Sequence, residues 1–137
     1  MSQENVDPVV ERRIRAFYDT LVEQDIDSMV EMLDSAFELH NPADAVEPGV
    51  RRGPDAARAA FRSVFEVWTY SHMEPTWMRR NEDDIVVELR VRGRAQESGI
   101  EIDQRFGHVL RFRGEKLVLF RWFHRPEQAL EAAGLSE

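Results

Sequence analysis

Between residues 100 and 113, apolar and polar side chains alternate strictly enough to demand a β-strand. Even positions carry Ile102, Gln104, Phe106, His108, Leu110 and Phe112, and odd positions carry Glu101, Asp103, Arg105, Gly107, Val109 and Arg111. A period of two sends these sets to opposite faces of a sheet, and the even face is built for a core. Gln104 and His108 nevertheless point the same way as four large apolar side chains. An amide or imidazole buried without a partner costs roughly 1–3 kcal/mol, so these two residues either hydrogen-bond inside a core or line a cavity. Asp103 and Arg105, on the other face, read as an exposed cross-strand charge pattern.

The flanking segments fit around this strand. Further strands are expected over residues 70–78, 85–96 and 116–124, with turns at 81–84, at Ser98 and Gly99, and at Gly114 and Glu115. Connections this short make the strands antiparallel neighbours. Upstream, Asp7 and Pro8 start a helix that runs to about Glu23, with Val10, Ile14, Phe17, Tyr18, Leu21 and Val22 at helical spacing. A short second helix, capped by Asp25 or Asp27, carries Ile26, Met29, Val30 and Leu33 on one side, and Phe37, Leu39 and Asn41 mark a short strand. Residues 41–53 hold Pro42, Pro48, Gly49 and Gly53 without periodicity, the kind of long loop that often covers a site. Pro54 opens a third helix with Ala57, Ala60, Phe61, Val64, Phe65 and Trp68 as its buried stripe, and Pro126 opens a last helical turn that Gly134 ends. Helices followed by a meander of strands predict an α+β domain over residues 1–137, with the helices on one face of the sheet.

Composition narrows the functions open to such a domain. A chain of 137 residues, 42% hydrophobic and 32% charged, suits one domain with one core. Its formal charge of -8 argues against nucleic acid as a partner, because that affinity comes from Lys and Arg neutralising phosphates. Arg90, Arg92 and Arg94 alternate with Leu89 and Val91, the pattern of a solvated or subunit-facing side of a strand. The absence of cysteine rules out disulfides, thiolate zinc sites and thiol nucleophiles. Residues 1–7 are polar, and no run approaches the roughly 18 apolar residues of a membrane span, so a cytoplasmic location without a membrane partner is expected.

Several short segments occur in a familiar order. Gln24-Asp25-Ile26-Asp27 is followed by His40-Asn41-Pro42, Glu47-Pro48-Gly49, Arg52-Gly53, Gly107-His108-Val109 and Ala129-Leu130-Glu131-Ala132-Ala133-Gly134-Leu135. On these segments and this order of elements, the chain resembles the SnoaL-like branch of the nuclear transport factor 2-like superfamily over nearly its whole length. The resemblance implies a curved antiparallel sheet forming a cone, with the N-terminal helices packed on its concave face, as in cystatin-like folds. It also implies an apolar pocket in the cone and, in many members, a homodimer through the outer sheet face. Polyketide cyclases, ketosteroid isomerases, epoxide hydrolases and dehydratases share this fold, so the fold alone does not define a reaction.

Matching residue by residue removes several of those chemistries. Ketosteroid isomerases use an Asp base with a Tyr and a protonated Asp as donors. By resemblance the base position holds Asn41, the tyrosine position holds Phe17 with Tyr18 beside it, and the strand carboxylate position holds His108. An amide accepts no proton near neutral pH, so that isomerase mechanism is not supported. The last-strand carboxylate of cyclases and epoxide hydrolases is matched by Trp122.

His108 is then the best general acid or base, since imidazole titrates near neutrality without special tuning. Phe17, Phe106 and Trp122 would supply apolar walls, with Tyr18, Asn41, Gln104 and His124 among the lining groups. The place of His124 depends on the hairpin at Gly114 and Glu115. A two-residue turn sets Leu117, Leu119 and Phe123 beside the His108 face, whereas a bulged loop sets Phe120, Trp122 and His124 there, the register the resemblance favours. Glu47 either reaches the pocket mouth or faces water. A metal site from His40, His108 and His124 is disfavoured because His40 points away from Asn41.

Two readings follow from the sequence. The first is a homodimeric protein that binds a small, mostly apolar molecule and, with His108, performs an isomerase, cyclase or dehydratase type of step without metal or cofactor. The second is a non-catalytic carrier or dimerising module with a packed cone.

Overall fold

The computed structural model describes residues 6–135. Helix α1 (Pro8–Glu23) begins where the Asp7 carboxylate accepts the Val9 amide at 2.8 Å, and it ends at Gln24 in the left-handed region with φ 57°. Helix α2 (Ile26–Glu31) is capped by Asp25, whose carboxylate accepts the Ser28 amide at 3.2 Å. Helix α3 (Pro54–Val67) starts after Gly53, whose φ of 90° is a conformation that suits glycine. Helix α4 (Pro126–Ala132) closes the described chain.

One six-stranded sheet accompanies them: β1 (Leu33–Asn41), β2 (Gly49–Arg52), β3 (Trp68–Asn81), β4 (Asp84–Ala95), β5 (Glu101–Arg113) and β6 (Lys116–Phe123), in the order β2-β1-β6-β5-β4-β3. The α+β class and the antiparallel run from β3 to β6 agree with the sequence reading. The sheet as a whole is mixed, because β1 runs parallel to β6. The register of β3 against β4 is irregular at Tyr70/His72 and Pro75/Trp77, the kind of departure that bends a strand and raises its twist.

Three further differences have physical causes. Leu33 belongs to β1 and not to the second helix: α2 ends at Glu31, and the chain extends to pair Leu33 with Leu117. The loop from Asn41 contains the short strand β2, which pairs antiparallel with β1 through Asn41 and Gly49. Trp68 leaves the third helix to open β3, and Val64 is 36% exposed, so the buried stripe of α3 is Ala57, Phe61 and Phe65.

The core has two parts on opposite faces of the sheet. On the concave face, Ile14, Phe17 and Tyr18 of α1, Met29 of α2 and Phe61 and Phe65 of α3 pack against Val87, Leu89, Leu110 and Phe120. On the convex face, Ala129, Leu130 and Ala133 cover Val86 and Val109, with Phe123 and Trp77 alongside. The helices therefore do not all share one face, as the sequence reading had it. Gly107 permits this arrangement, since a Cβ there would stand 2.7 Å from both Ala129 Cβ and Pro126 Cα. The covered apolar residues on both faces of the last strands are thus accounted for in part by α4.

Candidate functional site

Strand β5 projects His108 from the middle of its concave face, between Leu110 and Phe106. The hairpin to β6 combines features of both expected registers. Gly114 and Glu115 form a two-residue turn closed by Arg113 and Lys116, and a bulge then leaves Val118 without a partner. Leu117 pairs with Phe112 before the bulge, and afterwards Phe120 pairs with Leu110 and Trp122 with His108. All three therefore lie on the His108 face. The face switch that the resemblance favoured is present, but it is made inside the strand and not at the turn.

Around His108 the surroundings are aromatic. Its ring centroid lies 4.7 Å from that of Phe120 and 5.6 Å from that of Tyr18. Phe120 in turn touches Phe17 at 5.6 Å and Phe61 at 6.1 Å. Helix α1 places Phe17 and Tyr18 on adjacent positions, both buried, yet only Tyr18 reaches the imidazole: its hydroxyl lies 2.8 Å from His108 Nδ1. Sequence matching put Phe17 at the tyrosine position with Tyr18 beside it, and the hydroxyl that meets the strand residue is that of Tyr18.

Among the described residues, His108 is the one buried polar or charged side chain besides the Tyr18 phenol, with 5% of its surface accessible. Burial pushes its pKa down from 6.5 to about 3 and pushes the Tyr18 phenol well above its ordinary value. Both groups are neutral across the physiological range. The premise that imidazole titrates near neutrality therefore does not hold at this position. No buried side-chain nitrogen or oxygen among the described residues lacks a hydrogen-bond partner, yet Nε2 of His108 makes no such bond. Nε2 consequently lies on the accessible part of the ring.

Farther along the same face, polar groups are joined to one another. Trp122 Nε1 donates to Asn41 Oδ1 at 2.6 Å, and Asn41 Nδ2 donates to the Glu47 carbonyl at 2.9 Å. The Asn41 amide thus fastens the loop between β1 and β2 to β6. His124 stands 5.0 Å from Trp122 and 6.4 Å from Phe106, ring to ring, and its Nδ1 meets the Asp44 carboxylate at 3.2 Å. Phe106 and Trp122 also meet, at 6.4 Å. The Glu47 carboxylate faces outward and pairs with Arg51 at 3.2 Å. Gln104 shares the face of His108 but is exposed, so it sits apart from the buried group. The structure therefore brings Phe17, Tyr18 and His108 together inside, groups Asn41, Phe106, Trp122 and His124 nearer the rim, and leaves Gln104 outside both clusters.

His40 bonds Glu38 at 2.9 Å, and among the described residues no three His, Asp or Glu side chains gather as metal ligands would. On the convex face Asp103 makes a two-pronged bond to Arg90, at 3.0 and 2.9 Å, while Arg94 meets Glu101 at 3.5 Å. This is the exposed cross-strand charge pattern read from the alternation. No helix among the described residues is long and apolar enough to cross a membrane.

Comparison with known proteins agrees with this architecture. Residues 14–120 match the SnoaL-like domain, and the chain belongs to that family. A structure from Bacillus subtilis, provisionally named an isomerase, superposes with a TM-score of 0.75 at 23% identity, over 91% of this chain and 92% of that one. A protein with a ketosteroid isomerase-like fold from Catenulispora acidiphila, in complex with trimethylamine, gives 0.72 at 14% identity over 90% and 92%. A nuclear transport factor 2-like protein from Burkholderia thailandensis gives 0.68 at 22% identity over 90% and 95%. At these identities the likeness establishes the fold alone. The curated proteins give no significant match.

Proposed function

We propose that this SnoaL-like protein binds a small, mostly apolar molecule in the cone, against the accessible edge of His108. The observation that carries this reading is a buried imidazole with one nitrogen satisfied by Tyr18 and the other free of any protein partner, in aromatic surroundings. Ligand pockets have this composition: apolar walls with a few placed polar groups. A neutral imidazole at this depth acts as a hydrogen-bonding group and not as a proton shuttle, which favours binding over acid-base catalysis by His108 alone. If a step of the isomerase, cyclase or dehydratase type takes place here, the part open to His108 is polarising a bound oxygen, as neutral histidine does in some enzymes. The isomerase and trimethylamine names among the structural relatives concern those proteins, and they support only the general choice of a small-molecule ligand.

The test is a thermal-shift panel of uncharged apolar compounds on the wild type and on His108→Phe, a variant that fills the accessible edge. Ligands that stabilise the wild type and fail to stabilise the variant are expected. A panel in which nothing stabilises the wild type favours the packed, non-catalytic module.

We also propose a homodimer through the convex face of β3, β4 and β5, where Arg90, Arg92 and Arg94 of β4 face Asp103 and Glu101 of β5, a two-signed surface that can pair with a second copy of itself. Light scattering should give twice the chain mass and a salt-sensitive association. A monomer at high concentration overturns this part.

A further inference from the structure

The Tyr18–His108 contact determines where the imidazole carries its proton. Tyr18 is wholly buried, and His108 Nδ1 at 2.8 Å is its hydroxyl's sole hydrogen-bond partner among the described residues. If the ring proton sat on Nδ1, it would donate to the phenol oxygen, and the phenol hydrogen would be left in the core with no acceptor. With the proton on Nε2, the phenol donates to Nδ1 and the buried pair is satisfied. Leaving a buried donor unmade is the costlier choice, so the second arrangement wins. His108 then presents an N–H at Nε2, the one ring nitrogen that no protein group occupies.

The rest of the cone restricts what this donor can meet. No charged side chain is buried among the described residues, and the rings beside His108 are Tyr18 and Phe120, the latter packed in turn on Phe17 and Phe61. An anion would find no cation there, and an ammonium group would find no carboxylate. Burying either without a partner is far costlier than burying a neutral polar group. A hydrocarbon would fit the walls but would leave the Nε2–H unpaired. An oxygen acceptor on an otherwise apolar skeleton satisfies both.

We infer that the cone selects uncharged molecules bearing an oxygen acceptor, a ketone or ester carbonyl above all, received by His108 Nε2–H, with Tyr18 as the positioning residue that fixes the tautomer. This rests on the reading of the cone as a ligand site. Tyr18 touches no ligand in this account; it acts through the ring.

Two measurements test it. In long-range proton–nitrogen spectra of histidine-labelled wild-type protein, His108 shows a pyrrole-type Nε2 and a pyridine-type Nδ1, and Tyr18→Phe gives a mixture of tautomers. A wild-type ring protonated at Nδ1 overturns the inference, whether or not the variant folds. The second measurement compares cyclooctanone, cyclooctane and cyclooctylammonium by saturation-transfer and titration experiments. The ketone should bind about tenfold more tightly than the hydrocarbon, the equivalent of one satisfied hydrogen bond, and the ammonium should not bind in the cone. In Tyr18→Phe the preference for the ketone should shrink while hydrocarbon binding persists. Equal affinity for ketone and hydrocarbon overturns the oxygen selectivity and leaves the ligand site standing. Failure of all three to bind a protein with the expected tautomer overturns the ligand site itself.

Discussion

Two polar clusters share the concave face of β5 and β6, and they resolve their hydrogen bonding in opposite ways. Near the rim, Asn41, Trp122 and the Glu47 carbonyl satisfy one another, and His124 meets Asp44, so these groups tie the β1–β2 loop to the last strand. Deeper in, Tyr18 and His108 form one bond and leave one nitrogen over. By residue type the rim has more of the appearance of a binding site. By hydrogen-bond accounting the deeper pair is the better candidate, because its spare nitrogen belongs to a ring only 5% exposed, whereas water reaches the half-exposed His124 and can satisfy what its protein contacts leave over. A polar side chain near a pocket is therefore weighed by what its atoms already do.

The largest effect that separates the two clusters is packing. Phe120 is 4% exposed and touches the rings of His108, Phe17 and Phe61, so Phe120→Ala should cost about 3–5 kcal/mol in urea unfolding. The half-buried Trp122, at the rim, should cost clearly less on truncation to Ala. Equal losses at the two positions would mean that the rim is as much core as the interior.

The second effect is a pH dependence. His108 has a folded pKa of about 3 against 6.5 for the free side chain, so below pH 6.5 the unfolded chain binds a proton that the native chain refuses. This contribution is complete above pH 6.5 and is lost as pH falls towards 3, at up to about 1.4 kcal/mol per pH unit. Asp34, Glu38 and Asp103 are held below their usual pKa by hydrogen bonds and neighbouring cations, so their losses begin at lower pH and leave the interval from 6.5 to 5 to histidine. Between pH 6.5 and 5 the wild type should lose about 2 kcal/mol more than His108→Gln, which retains His40, His72 and His124. Parallel stability curves would show that His108 is solvated in the native protein.

The smallest effect belongs to the rim. Asn41→Ala removes the acceptor of Trp122 and the donor to the Glu47 carbonyl, at half-exposed positions where water can replace them. A stability loss of about 0.5–1.5 kcal/mol is expected, with faster hydrogen exchange in the loop and little change in ligand affinity. A large drop in affinity would make Asn41 part of the ligand site and dissolve the contrast between the clusters.

The fold was largely legible where its signals are local. Alternation defined β5, Asp7 with Pro8 and Gly53 with Pro54 marked helix starts, and short turns gave the antiparallel run. What escaped depends on distant parts of the chain. The parallel pairing of β1 with β6 leaves no turn to read, and β2 is four residues inside a loop rich in Pro and Gly. The placement of α4 on the convex face had one faint signal, the bare Gly107 between His108 and Phe106 with Val86 and Val109 pointing outward. The candidate site was legible as residue types and not as bonds. Tyr18 and His108 were both singled out, but their contact spans 90 positions, and the bulge at Val118 that brings Phe120 and Trp122 to the same face follows from pairing, not from composition.

Ligand binding at this site requires His108 Nε2 to open onto a space inside the cone. A crystal structure of the protein at high resolution, purified without added ligand, tests it most directly through the electron density around that atom. A water or a bound molecule is expected within hydrogen-bonding distance of Nε2, with Tyr18 still on Nδ1. Close-packed carbon against Nε2, with no room for a water, would contradict it and leave a cone that is core throughout.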